Sequence, residues 1–88
     1  MSIEAVRVVL NSNFGLSSTQ TLVLMTMAFH ADDEGRLAMS ISNIAKQTCL
    51  SQSSVVTAIN YLCDKRLLKR TLVYHLRERK PTEYRVML

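Results

Sequence analysis

Apolar residues recur along this chain at two different periods, and the change of period divides it into a helical part and a stranded part. Ile3, Val6, Val9 and Leu10 follow helical spacing, which predicts a short amphipathic helix over Ile3 to Leu10 that stops around Asn11-Ser12-Asn13. Leu22, Leu24, Met25, Ala28 and Phe29 carry a second helix to about Ala31. Ser17 or Ser18 caps it, since a serine oxygen accepts from the free amides of a first helical turn. Asp32-Asp33-Glu34-Gly35 ends that helix in an acidic turn, and Arg36 to Met39 is short enough for a small strand leading to a further cap at Ser40.

From Ser40 two helical patterns follow with a tight break between them. Ile41, Ile44 and Ala45 line the first, Leu50 lies in the turn, and Ser51 caps a helix from Gln52 to Arg66. Val55, Ile59 and Leu62 in that helix fall at i, i+4 and i+7, so they form one stripe and are expected to face inward. Beyond Arg66 the period becomes two: Leu68, Leu72 and Tyr74 on one run, Tyr84, Val86 and Leu88 on another. Two such runs predict an antiparallel hairpin whose connection, His75 to Pro81, is a basic tip. Pro81 has no amide hydrogen for a ladder and belongs at the loop edge.

The order helix, three-residue turn, helix, hairpin predicts an α+β, mostly α fold: a winged helix-turn-helix with a C-terminal β-hairpin wing, with residues 1–88 forming one domain. In that arrangement the helix over Ile41 to Thr48 braces the helix from Gln52, which presents its outer face to a major groove of about a helix's width. Gln52, Ser53, Ser54, Val56, Thr57 and Asn60 are left on that outer face. That face is short, polar and almost uncharged, which suits contacts to base edges. Gln52 and Asn60 match adenine, the serines and Thr57 match bases or phosphates, and the methyls of Val56 or Thr57 match a thymine methyl.

Charge sharpens this picture because it is divided unevenly. Residues 1–35 carry Arg7 against four acids, whereas residues 36–88 carry ten cations against Asp64, Glu78 and Glu83. Phosphate contacts are therefore expected from Lys46 on the bracing helix, Lys69 and Arg70 entering the hairpin, and Arg77, Arg79 and Lys80 at its tip. A wing of that composition suits the DNA backbone or a minor groove, where negative potential attracts arginine. Lys65 and Arg66 are equally well explained by the dipole at a helix C-terminus.

In combination these segments resemble a known family. The run Leu16-Ser17-Ser18-Thr19-Gln20-Thr21-Leu22-Val23-Leu24, then Ala31-Asp32-Asp33-Glu34-Gly35, Ser40-Ile41-Ser42-Asn43-Ile44-Ala45, Leu50-Ser51-Gln52-Ser53-Ser54-Val55 and Ala58-Ile59-Asn60-Tyr61-Leu62 is similar to the winged helix-turn-helix family of phage and plasmid replication proteins and related small DNA-binding regulators. The resemblance extends from about Leu16 to Tyr84 and rests on the order and spacing of the pieces. It implies sequence-specific duplex DNA binding, in transcriptional regulation or in replication initiation and plasmid maintenance. Members usually have glycine where Arg66 stands and often proline where Met39 stands. Without that glycine the second helix is expected to end without a left-handed glycine cap.

Other chemistry finds little support in the residues. Asp32-Asp33-Glu34 and His30 lack the spacing of a calcium or zinc site, and no phosphate-binding glycine loop, nucleophile with histidine, or paired carboxylates is present. The expectation is a protein that is not an enzyme and has no metal, cofactor or small-molecule ligand. Cys49 and Cys63 read as reduced packing residues, and the methionines read as core filler. No apolar stretch approaches the roughly 18 residues of a membrane span, and Met1-Ser2-Ile3-Glu4 lacks the features of a secretory signal, so a cytoplasmic location is expected. Because a small domain reads few base pairs, pairing of two copies through the Ile3 to Leu10 helix is expected. The competing class is a protein-interaction winged helix that uses the same N-terminal helix.

Overall fold

A computed structural model of the 88-residue chain describes residues 3–11, 14–71, 74–75, 78–79 and 83–87. Ala5, Thr71 and residues 74–75 and 78–79 are described by their backbone alone. The elements run α1 (Ile3–Asn11), α2 (Ser18–His30), β1 (Arg36–Ala38), α3 (Ile41–Thr48), α4 (Gln52–Asp64), β2 (Leu68–Thr71), β3 (Tyr74–His75), β4 (Glu78–Arg79) and β5 (Glu83–Val86).

Serines set the starts of the three central helices. Ser17 and Gln20 form a reciprocal capping box, with the Gln20 amide donating to Ser17 Oγ at 3.2 Å and the Ser17 amide donating to Gln20 Oε1 at 2.9 Å. Ser40 and Ser51 accept from the amides of Asn43 and Ser54 in the same way. The α2 helix is the centre of the bundle: Val23, Leu24, Met27 and Ala28 are buried, and it packs against α1, α3 and α4. His30 at its end donates from Nε2 to Gln47 Oε1 of α3 at 2.7 Å. In α1 the expected apolar series divides. Val9 is buried and Val6 half-buried, whereas Ile3 and Leu10 remain 63% and 61% exposed.

The end of α4 corrects the sequence expectation twice. The helix stops at Asp64 rather than Arg66, and the left-handed cap survives without glycine. Arg66 itself adopts φ 59°. Its amide donates to the Cys63 carbonyl and that of Leu67 to the Leu62 carbonyl, both at 3.0 Å, the paired bonds of a Schellman motif. The motif closes because Leu67 must turn back toward the core, and the backbone strain at Arg66 is the cost. Cys49 at φ 58° ends α3 similarly, with the Leu50 amide donating to the Ala45 carbonyl at 3.1 Å.

The stranded part is also larger than a hairpin. The sheet has the order β1-β5-β2, all antiparallel, so the last strand lies in the middle. Leu37 pairs with Tyr84 and Tyr84 with Arg70, while Leu68 pairs with Val86. Leu37, Tyr84, Leu68 and Val86 are buried, closing the core formed by the helices. The segment expected as a loop from His75 to Pro81 contains a second ladder, in which Tyr74 pairs with Arg79 and His75 with Glu78. Among the described residues this two-stranded ladder is separate from the three-stranded sheet. Leu72, Pro81 and Leu88, placed in the hairpin from sequence, lie outside the described residues, as do Ser12 and Asn13 at the end of α1.

Candidate nucleic-acid interface

Two opposed stripes on α4 create the site. Val55, Ile59 and Leu62 are 0% exposed and Ala58 3%. Full burial of each larger side chain contributes about 1.5–3 kcal/mol, enough together to fix the helix's rotation. The opposite stripe, Gln52, Ser53, Val56, Thr57 and Asn60, is exposed, and Ser54 is half-exposed at its edge. Val56 keeps 40% of its surface open, an apolar residue in a polar row.

Hydrogen bonds determine what these side chains have left to offer. Ser51 Oγ accepts from the Ser54 amide at 3.2 Å and donates to Ser54 Oγ at 2.9 Å, with Ser53 Oγ 3.3 Å away. The first turn is thus cross-braced. Thr57 donates its hydroxyl to the Ser53 carbonyl at 2.9 Å, leaving an acceptor lone pair and a methyl for an incoming base. Arg70 Nη2 donates to Asn60 Oδ1 at 3.0 Å. Two-point pairing with adenine needs both polar atoms of an asparagine amide, so Asn60 would have to release Arg70 to make it.

Pleat alternation separates the cations grouped in the sequence. Arg70 is in register with buried Tyr84 and Leu37, so it leaves β2 on the helix-facing side of the sheet and reaches α4 from the edge. Lys69 leaves on the other side, in one rung with Arg85 and Arg36. That rung crosses the outer face, where Arg36 pairs with Glu34 at 3.3 Å and Arg85 Nε donates to the Glu34 carbonyl at 3.3 Å. Lys46 is exposed on α3. Arg77 and Lys80 lie outside the described residues, and Arg79 is described only by its backbone in β4.

The polar face also continues onto residues that sequence spacing had used only as a cap or left unassigned. A shallow cleft of about 270 Å³ is lined by Ser17, Thr19 and Gln20 from the start of α2 and by Ser53, Ser54 and Thr57 of α4. The two segments are more than 30 positions apart, and no local pattern joins them. At the far end of α4, burial pushes the Cys63 thiol up, partly offset by the nearby Arg70 charge, which favours the protonated form of this packing residue.

A braced pair of helices across a tight turn, followed by a small antiparallel sheet, defines a winged helix-turn-helix. The chain belongs to the helix-turn-helix domain family, whose model matches residues 15–68, from just ahead of α2 to the first residue of β2. No curated protein and no solved structure matches it. Membership of that family points to DNA binding. Among the described residues no helix is long and apolar enough to cross a membrane.

Proposed function

We propose that this protein binds duplex DNA sequence-specifically and acts as a transcriptional regulator. The observation that carries the reading is the exposed, uncharged stripe of α4 lying back to back with a fully buried one. A helix anchored so firmly presents its polar side chains at fixed angles, which base recognition in the major groove requires. Gln52, Ser53, Ser54, Val56 and Thr57 supply contacts to bases. Lys46, Arg70 and the wing residues Arg77, Arg79 and Lys80 supply contacts to phosphates or the minor groove. Lys69, on the outer face of the sheet, is left out of this set.

Selection of bound duplexes from a random pool tests the assignment. Thr57→Ala is expected to change the preferred sequence, and Arg79→Ala to weaken all sequences alike with a shallower salt dependence. An unchanged sequence preference in Thr57→Ala, or binding insensitive to salt, would contradict it. The resemblance to phage and plasmid replication proteins supports a second use of the same module, at a replication origin, and mapping the bound site separates the two. Exposed Ile3, Val8 and Leu10 on α1 support a homodimer through that helix, which would double the length of the site.

A further inference from the structure

We infer that Asn60 is a positioning residue which holds the Arg70 guanidinium against a DNA phosphate at the lip of the major groove, and does not itself read a base. The inference rests on the duplex-binding reading above.

Three features of the molecule lead to it. Asn60 shares a helical face with Ser53, Val56 and Thr57 but lies eight residues beyond Gln52, about 12 Å along the axis at 1.5 Å per residue. That distance is close to the groove's own width of about 12 Å. A helix entering the groove by its N-terminal end therefore brings Asn60 to the rim, where the phosphates are. Second, Arg70 is the cation that a hydrogen bond ties to this otherwise uncharged stripe among the described residues, with Nη2 3.0 Å from Asn60 Oδ1. It arrives there because β2 is an edge strand and residue 70 is on its helix-facing side.

Third, the bond leaves useful chemistry unspent. A guanidinium has five donors in a planar fork. One is engaged by Asn60, and the others remain for two-point contact with phosphate oxygens. Asp64 lines the same groove between α4 and β2, yet no ion pair joins it to Arg70 among the described residues, so the positive charge is not neutralised by contact. Anchoring one end of a long side chain lowers the ordering cost when the other end binds.

The test is a double-mutant cycle on full-length protein, with duplex affinity measured across a salt series and the preferred sequence determined for each variant. Arg70→Ala is expected to weaken binding about tenfold or more and to reduce the log–log salt slope by about one, with the preferred sequence unchanged. Arg70→Lys, which keeps the charge, retains the slope. Asn60→Ala is expected to weaken binding roughly 2- to 10-fold with the full slope, and to have no further effect in the Arg70→Ala background. A changed base preference in Asn60→Ala that persists without Arg70, or an unchanged slope in Arg70→Ala, overturns the inference while leaving duplex binding intact. Wild-type protein that binds no duplex overturns the functional reading and this inference with it.

Discussion

Gly35 and Val86 meet backbone to backbone: the Val86 amide donates to the Gly35 carbonyl at 2.7 Å, and a Cβ on Gly35 would lie 2.6 Å from the Val86 carbonyl oxygen. Gly35 also has φ +81°, a conformation that side chains disfavour. Gly35→Ala therefore meets both a steric and a torsional obstacle, neither of which a flexible side chain can relieve. Destabilisation of about 1–3 kcal/mol is expected, measured by urea unfolding, with the loss concentrated where β1 meets β5.

At the end of α4 the opposite substitution is favourable. Arg66 occupies a left-handed conformation that costs an ordinary residue roughly 1–2 kcal/mol. Arg66→Gly should raise stability by about 1 kcal/mol, because removing that strain outweighs the extra freedom glycine brings to the unfolded chain. A thermal melt of the variant checks the sign, and unchanged or lowered stability would show that the arginine gains compensating contacts.

The start of the same helix depends on one hydroxyl. Ser51→Ala removes the acceptor for the Ser54 amide and the donor to Ser54 Oγ, and is expected to cost about 0.5–2 kcal/mol. Urea unfolding should show a larger loss of stability than for Ser53→Ala, whose hydroxyl caps no amide among the described residues.

Reversal of charge distinguishes the two faces of the sheet. Lys69 stands beside Arg85 in a rung of like charges, so Lys69→Glu replaces repulsion with attraction and should stabilise the fold by about 0.2–1 kcal/mol. Arg70→Glu changes the net charge equally but on the side of α4. If Arg70 meets DNA, its reversal weakens duplex binding far more than that of Lys69, and equal losses would argue against the assignment.

Acid sensitivity should trace to Asp32. Its Oδ1 accepts from the Arg36 amide and, with burial opposing, from the Glu34 amide, both at 2.9 Å. These bonds, together with the Arg36 and Arg85 charges, hold its carboxyl below the usual aspartate value. A lowered folded-state value means that the contribution is present above the unfolded value of about 3.9 and is lost as pH falls through the folded one. Asp32→Asn should lower stability near neutrality and flatten the profile in the acidic range, the difference from wild type vanishing as pH falls through the folded value, as a pH series of urea unfolding curves can establish.

Much of this molecule follows from interactions within a few residues. Helical period assigned Val55, Ile59 and Leu62 to the core, and the serines at 17, 40 and 51 act as caps because a hydroxyl reaches only the amides of its own first turn. The exposed stripe of α4 was legible for the same reason: burying one face of a helix leaves the other outside. Local pattern could not reveal that Arg36–Ala38 joins the last strand, since that pairing links residues nearly 50 positions apart.

The tertiary structure alone decided how neighbouring cations part company. In sequence Lys69 and Arg70 are an indistinguishable basic pair, but pairing with β5 turns one away from α4 and brings the other onto Asn60. It also decided that Arg66 bends into a shape suited to glycine, because Leu67 and the strand beyond it must return to the core. Periodicity and capping are short-range and are written into successive residues. Sheet register and the direction of a chain reversal are settled by the packing of distant segments.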